Sequence, residues 1–124
     1  MSTVVDWAGL SGQRYEFRVY RIGQEFLPVG GIYIMCRFNF GGLLEPSGYQ
    51  PLYVGETSDL NDRLNIGIDT HDGYKRCLAY GVSHFAARRC DDATERLRIE
   101  TDLRHGLAPV CNRQGIPTAL NDLF

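Results

Sequence analysis

The segment at residues 93–107, ATERLRIETDLRHGL, predicts an amphipathic helix that carries a carboxylate on its apolar side. At about 100° per residue, four apolar side chains point within about 60° of Glu100: Ala93, Leu97, Leu103 and Leu107. The helix alone leaves two interpretations open. Arg96 and Arg104, one turn before and one turn after, would hold Glu100 in solvated ion pairs worth about 0.3 kcal/mol each. Alternatively, Glu100 faces a cleft, where a lone carboxylate requires a cation or a hydrogen-bond network.

Two tyrosines occupy similar places in two predicted strands, GGIYIMCRF at 30–38 and YQPLYVGE at 49–56. Strand side chains alternate between faces, so Tyr33 and Tyr53 emerge on one side if their aliphatic neighbours align on the other. These neighbours are Ile32, Ile34, Leu52 and Val54. Gly55 lies on the side of Tyr53 and leaves room for a substrate or a neighbouring side chain. The alternative is that both tyrosines simply pack as strand residues.

The elements that must position these residues follow an α/β pattern. Helices are predicted at 57–65, at 71–81 and at 93–107, where Thr57 or Ser58 caps the first and Asp91 or Asp92 caps the last. Arg63 lies on the first of these helices. The alternation of RYEFRVYRI at 14–22 predicts a strand in an N-terminal extension, and VSHFAARRC at 82–90 has the composition of a further strand.

The expected fold is a small, mostly antiparallel three-stranded sheet flanked by helices, with an N-terminal strand-containing extension. A chain of 124 residues, of which 44% are hydrophobic and 23% charged, is long enough for one domain with a core and too short for two. The extension spans 1–28 and packs on the domain at 29–113, and a C-terminal tail spans 114–124.

Composition limits the classes of function. Four scattered cysteines and three scattered histidines do not form a zinc-type spacing, so any metal would need oxygen ligands. No apolar run approaches the roughly 20 residues that span a bilayer, and no signal-peptide pattern opens the chain, so we expect a cytoplasmic protein with no membrane contact. A net charge of -2 argues against non-specific coating of nucleic acid.

Five separated sequence elements occur in one order along the chain. They are GIY at 31–33, YVG at 53–55, Arg63, Glu100 and, after Pro109, Asn112. In this combination the chain resembles the GIY-YIG endonuclease family over about residues 29–113. That family includes homing endonucleases, restriction enzymes, repair nucleases that incise damaged or branched DNA, and small single-domain proteins.

The resemblance implies that Glu100 holds a single divalent cation in an active-site cleft, on the sheet face that carries the tyrosines. The cation would be Mg²⁺, with Mn²⁺ as a substitute, because a hard cation accepts one carboxylate, several waters and phosphate oxygens. Tyr53 is implied to be the general base and Tyr33 to orient water or phosphate. A phenol with a pKa near 10 is a weak base at neutral pH, so positive charge from Arg63 or the metal must favour the phenolate.

The resemblance also implies a substrate-binding set of Gly55, Arg63 and Asn112. Arg63 would bind the scissile phosphate. Asn112 would mainly fix the end of the last helix and the cleft wall. Glu56 stands where some family members carry a lysine, and alternation predicts that it points to the other face. His71 is expected to be a surface or helix-start histidine.

The sequence therefore predicts a metal-dependent endonuclease whose partner is DNA, with branched or damaged DNA as candidate substrates. A non-catalytic module that binds nucleic acid or a protein partner on the same cleft is the alternative, and a nuclease toxin from a mobile element is a third hypothesis. The extension, where Arg14 and Arg18 flank Glu16, offers the extra contacts that a weakly charged domain needs. We expect it to cover the core of a monomer; a homodimer that pairs this strand with a second copy is the alternative.

Overall fold

The structure, a computed structural model, describes residues 3–43 and 47–112; the predicted tail at 114–124 lies outside the described residues. Its strands are β1 (Thr3–Ala8), β2 (Arg14–Arg21), β3 (Gly31–Asn39), β4 (Gly48–Thr57) and β5 (His84–Arg89). Its helices are a π-helical turn (Asp62–Ile66), a 3₁₀ turn (Ile68–Thr70), α1 (Asp72–Leu78) and α2 (Ala93–Leu107). None of the helices in these ranges combines the length and apolarity that crossing a membrane requires.

The prediction of an α/β fold is confirmed, but the sheet has five strands in the order β1-β2-β5-β3-β4 rather than three. All described pairings are antiparallel. The extension contributes two strands, β1 and β2, to the sheet. β2 buries Tyr15 and Phe17 and pairs with β5 from Arg18↔Ala87 to Arg21↔His84. β1 pairs with the opposite edge of β2. Both edges of β2 are therefore occupied within the chain.

The two faces of the sheet carry separate hydrophobic clusters. One, the tyrosine face, is covered by the π-helical turn and α1; it contains Tyr33, Met35, Leu52, Tyr53, Leu60, Leu64, Cys77, Phe85, Ala87 and Cys111. The other, the α2 face, contains Tyr15, Phe17, Ile32, Ile34, Cys36, Val54, Ala86, Ile99 and Leu103. Helix α2 packs mainly on β4 and also touches β1 and β3.

The predicted alternation holds for the tyrosines and fails for Leu52. Tyr33 and Tyr53 share a face as predicted, but Leu52 lies with Tyr53 rather than with Val54. The reason is a β-bulge: Met35 pairs with Tyr53 while the next residue, Cys36, pairs with Pro51. The extra residue reverses the alternation at this point.

The helical segment after β4 differs from its prediction at the start and in its winding. Asp59, not Thr57 or Ser58, accepts the N–H of a residue in the first turn, that of Asp62, at 2.9 Å. The turn then widens, and the Gly67 N–H donates to the Asp62 carbonyl five residues back, at 2.7 Å. Such π-type turns are rare overall, but those that occur often lie at functional sites. This one carries Arg63.

Helix α2 begins as predicted but buries a different side. The Asp92 carboxylate accepts the Glu95 N–H at 2.8 Å, as expected of the cap. The buried residues are Arg96, Ile99 and Leu103, whereas Leu97 is exposed. Ala93 is exposed as well. Ile99 and Leu103 supply the contact with the sheet, so the buried stripe is narrower and rotated from the predicted one.

Candidate active site

Tyr33 and Tyr53 stack in the tyrosine face, with ring centroids 6.1 Å apart and planes 25° apart. A Cβ on Gly55 would lie 2.5 Å from the Tyr33 hydroxyl, so only glycine allows the ring to lie there. Gly55 is itself buried. The space that the sequence left open for a substrate or a side chain is therefore filled by Tyr33.

His71 completes this cluster and is fully buried. Its Nε2 lies 2.6 Å from the Tyr33 hydroxyl oxygen, and its Nδ1 accepts the backbone N–H of Tyr74 at 3.2 Å. Burial, followed by the charge of Arg63, lowers the pKa of His71 to about 4. The imidazole is thus neutral at physiological pH. Because Nδ1 accepts, the proton sits on Nε2, and His71 donates to the Tyr33 oxygen.

This tautomer fixes the direction of the hydrogen bonds around Tyr33. Since the Tyr33 oxygen accepts from His71, its own O–H is free to donate to another group. Burial raises the pKa of Tyr33 above its ordinary value of 10.0; neighbouring Tyr53 raises it too, and Arg63 opposes the rise. Tyr33 is therefore a neutral phenol in this state.

Arg63 reaches the same cluster from the π-helical turn. Burial raises the pKa of Tyr33, and a hydrogen bond from Arg63 and the charge of Arg63 lower it. After burial, the charge of Arg63 also lowers the pKa of His71. Arg63 is only half-buried. It therefore connects the buried tyrosine–histidine cluster with the solvent.

Sequence reasoning placed His71 at a helix start, which is right, and on the surface, which is wrong. It is the residue before α1, and its side chain caps that helix. Gly73 brings this helix close to β4, because a Cβ there would lie 2.6 Å from Tyr53 Cε2 and 2.8 Å from His71 Cε1. A glycine just after a helix-start histidine was the signal that this end of the helix packs closely.

Glu100 lies on α2, which packs mainly on β4 and whose buried residues Ile99 and Leu103 belong to the α2 face. Its predicted position beside the tyrosines stays a prediction. Both carboxylate oxygens accept hydrogen bonds from Arg104 Nε at 3.2 Å, and the Glu100 side chain is 13% exposed. Within residues 3–43 and 47–112 no three His, Cys, Asp or Glu side chains converge as a metal site. A cation here would have one carboxylate, shared with Arg104, as its protein ligand.

Arg96 does not join the predicted ladder with Glu100. Its Nε donates to Glu56 at 3.1 Å, and its Nη1 donates to the carbonyls of Cys90 and Asp91. This buried arginine ties the start of α2 to β4 and to the end of β5. Glu56 thus points to the α2 face, away from the tyrosines, as alternation predicts.

Asn112 binds the backbone of the strand that carries Tyr53. Its Nδ2 donates to the Val54 carbonyl and its Oδ1 accepts the Val54 N–H, both at 2.8 Å. Edge strand β4 therefore has its outward backbone groups satisfied next to the second tyrosine. This geometry gives Asn112 the structural role that was predicted for it.

The structure thus brings together Tyr33, Tyr53, Gly55 and Arg63, adds His71, and leaves Glu100 and Asn112 at the α2 side and the β4 edge. Comparison of the chain with protein-family models, with curated proteins and with solved structures gave no match.

Proposed function

We propose that the chain is a divalent-metal-dependent endonuclease that hydrolyses phosphodiester bonds in DNA, as its resemblance to the GIY-YIG endonucleases implies. The observation that supports this most is the convergence of Tyr33, Tyr53, Arg63 and His71 from four separate elements into one cluster. Buried polar groups cost stability compared with apolar ones, and a set with shifted pKa values beside a half-exposed arginine is typical of a functional site.

The hydrogen-bond directions favour Tyr53 as the general base. His71 donates to Tyr33, so the Tyr33 O–H is left to donate outward, and Tyr53 is the neighbour that interacts with it. A hydrogen bond donated to the Tyr53 oxygen favours a phenolate there. Tyr53 is also the more exposed phenol, at 6% against 1% for Tyr33. Tyr53 would accept the proton of the attacking water, while Tyr33 and His71 position it.

Arg63 would bind the scissile phosphate. A guanidinium donates to phosphate oxygens in a bidentate geometry and neutralises charge that grows in the transition state. Its half-buried position beside Tyr33 fits this task, because the site keeps a fixed cation next to the base.

Glu100 would hold the metal. A single carboxylate fits Mg²⁺ or Mn²⁺ when the ion keeps several waters and takes phosphate oxygens from the substrate. Lone pairs remain on both carboxylate oxygens beside the hydrogen bonds from Arg104. When bound, the cation would supply Lewis-acid stabilisation of the phosphate and the leaving oxygen.

A non-catalytic module that binds nucleic acid or a protein partner is the second candidate. Two observations favour it: Tyr33 and His71 are almost inaccessible to solvent, and the Glu100 carboxylate already has a cation as its partner. A module with this cluster would bind its partner through Arg63 and Tyr53 without turnover.

Incubation of the protein with supercoiled plasmid and with branched DNA, in Mg²⁺, Mn²⁺ or EDTA, separates the two. The endonuclease should nick or cut with either metal and stop in EDTA. Glu100→Gln should abolish cutting, whereas Glu95→Gln, on the same helix and also paired with an arginine, should leave it unchanged. If Glu100→Gln cuts as fast as wild type, the metal assignment is wrong, and if wild type never cuts, the module is favoured.

A further inference from the structure

The ladder between β2 and β5 ends early and leaves a pocket lined by three arginines. Pairing stops at Arg18↔Ala87, so residues 16 and 17 no longer face 88 and 89 through backbone hydrogen bonds. Arg88 fills part of the gap, and its Nη1 donates to the Glu16 carbonyl at 3.2 Å. The pocket has a volume of about 460 Å³ and is lined by Glu16, Phe17, Arg18, Tyr20, Ala87, Arg88 and Arg89.

This pocket and the candidate active site lie along one row of the sheet. Tyr33 pairs with Ala87, and Ala87 pairs with Arg18, so these three residues form one row on the tyrosine face. With strands about 4.8 Å apart, the Arg18 Cα lies about 10 Å from the Tyr33 Cα. A second pocket of about 210 Å³ shares Tyr20, Ala87 and Arg89 with the first and extends to Leu60, at the start of the turn that carries Arg63.

The charges in this groove suit an anion. Arg18 is exposed and makes no hydrogen bond or ion pair with any residue in the described part of the chain. Arg89 is exposed and paired with Asp91, with a side-chain exposure of 60%. Glu16 is the one carboxylate among the residues that line the larger pocket. Three arginines against Glu16 and the Asp91 that pairs with Arg89 leave a surplus of one positive charge at the pocket, although the chain as a whole carries a net charge of -2.

We propose that this three-arginine pocket binds the DNA backbone beside the scissile phosphate, with Arg18 and Arg89 as the phosphate contacts. The inference rests on the proposed function, because the row Tyr33–Ala87–Arg18 sets its distance from the site. A separation of about 10 Å is short enough for one strand of a duplex to contact both places through phosphates that lie close together along the chain. β2 and β5 thus supply the substrate affinity that the tyrosine cluster alone lacks.

The test is binding of a short fluorescein-labelled DNA duplex, measured by anisotropy in EDTA so that no cleavage occurs, over a range of salt concentrations. Arg18→Gln and Arg89→Gln should each weaken binding about fivefold or more and reduce the salt slope by about one. Arg14→Gln is the matched control: it lies on the same strand and face, but Asp6 pairs with it outside the pocket. It should change binding less than twofold.

Cleavage of the same duplex in Mg²⁺ separates failure of this inference from failure of the proposed function. The wild type could cleave the duplex while Arg18→Gln and Arg89→Gln bind it as well as Arg14→Gln does. That outcome would overturn the proposed role of the pocket and leave the proposed endonuclease function in place. If the wild type neither binds nor cleaves the duplex, both proposals are overturned. A higher KM with an unchanged kcat in the two pocket variants would support the pocket, because a contact remote from the reacting atoms contributes uniform binding.

Discussion

The two faces of the sheet bury different kinds of residues. The α2 face joins aliphatic residues such as Ile34, Val54 and Leu103, which stabilise the fold without specific partners. The tyrosine face buries Tyr33 and His71, which need a fixed network of donors and acceptors. Under the proposed function, the comparison teaches that stability and chemistry are divided between the faces. The α2 face should tolerate a loss of volume without loss of the site, and the tyrosine face should tolerate the loss of a hydroxyl without loss of the core.

One carboxylate on the α2 side, that of Asp102, serves docking. Asp102 accepts hydrogen bonds from the Ser11 N–H and Oγ and from the Tyr15 hydroxyl, at 2.7 to 2.8 Å. These bonds hold the β1–β2 hairpin on α2, and the bond from Tyr15, followed by those from Ser11, lowers the pKa of Asp102. His71 also caps α1, but that bond does not require the Tyr33 hydroxyl, because a phenylalanine at position 33 would fill the same space.

The largest effect is expected from the aliphatic face. Leu103→Ala should lower the free energy of unfolding by about 3 to 4 kcal/mol, because it removes a fully buried side chain and leaves a cavity. Urea denaturation measures this loss. DNA cleavage per folded molecule should stay at the wild-type level; a variant that kept its stability and lost cleavage would contradict the division between the faces.

The next effect comes from His71 and depends on pH. Its pKa is about 4 in the folded protein and 6.5 in the unfolded chain, so the unfolded chain binds the proton more readily between these values. Stability should therefore be intact above pH 6.5 and fall as the pH drops to about 4, by on the order of 2 kcal/mol from this group.

The control for this pH effect is His71→Asn, whose side-chain oxygen can still accept the Tyr74 N–H as a helix cap. Urea denaturation at a series of pH values should show that the wild type loses more stability than the variant over this range. Equal pH dependence in the two proteins would show that His71 is not held neutral by its surroundings.

The smallest effect concerns the edge of β4. Asn112→Ala should cost about 1 to 2 kcal/mol, because it removes two hydrogen bonds to the Val54 backbone at a half-buried site. Hydrogen exchange should accelerate at the Val54 amide in particular. Asn65→Ala, which removes a single side-chain hydrogen bond to Asn61, is the matched control and should leave Val54 protected. Unchanged exchange at Val54 in Asn112→Ala would exclude the structural role.

The sequence predicts the shared face of Tyr33 and Tyr53, because period-two alternation is a local property of a strand. It does not predict the bulge at Leu52, which depends on how β3 and β4 are registered. Periodicity indicates that α2 is buried on one side but not against which face of the sheet, so the position of Glu100 could not be derived. β1 was not predicted because Asp6 interrupts a short apolar run. Pairing with β2, rather than the strand propensity of its residues, stabilises this strand.

His71 shows the same limit within the candidate site. Its place at a helix start follows from the sequence, whereas its burial depends on Gly73 letting that helix approach Tyr53. The close approach is a tertiary property, and it converts a capping residue into a donor to Tyr33. The sequence could not place the proton on Nε2, because the tautomer follows from the hydrogen-bond partners of both ring nitrogens in the structure.

The central claim is that the tyrosine cluster is the site of DNA hydrolysis, and Tyr53→Phe tests it most directly. Removal of one hydroxyl should reduce the cleavage rate in Mg²⁺ by about a hundredfold or more while the dissociation constant for DNA changes little, since the general base acts in the chemical step. Tyr49→Phe, the same change on the same strand outside the cluster, should cleave like wild type. Cleavage by Tyr53→Phe at the wild-type rate would contradict the account.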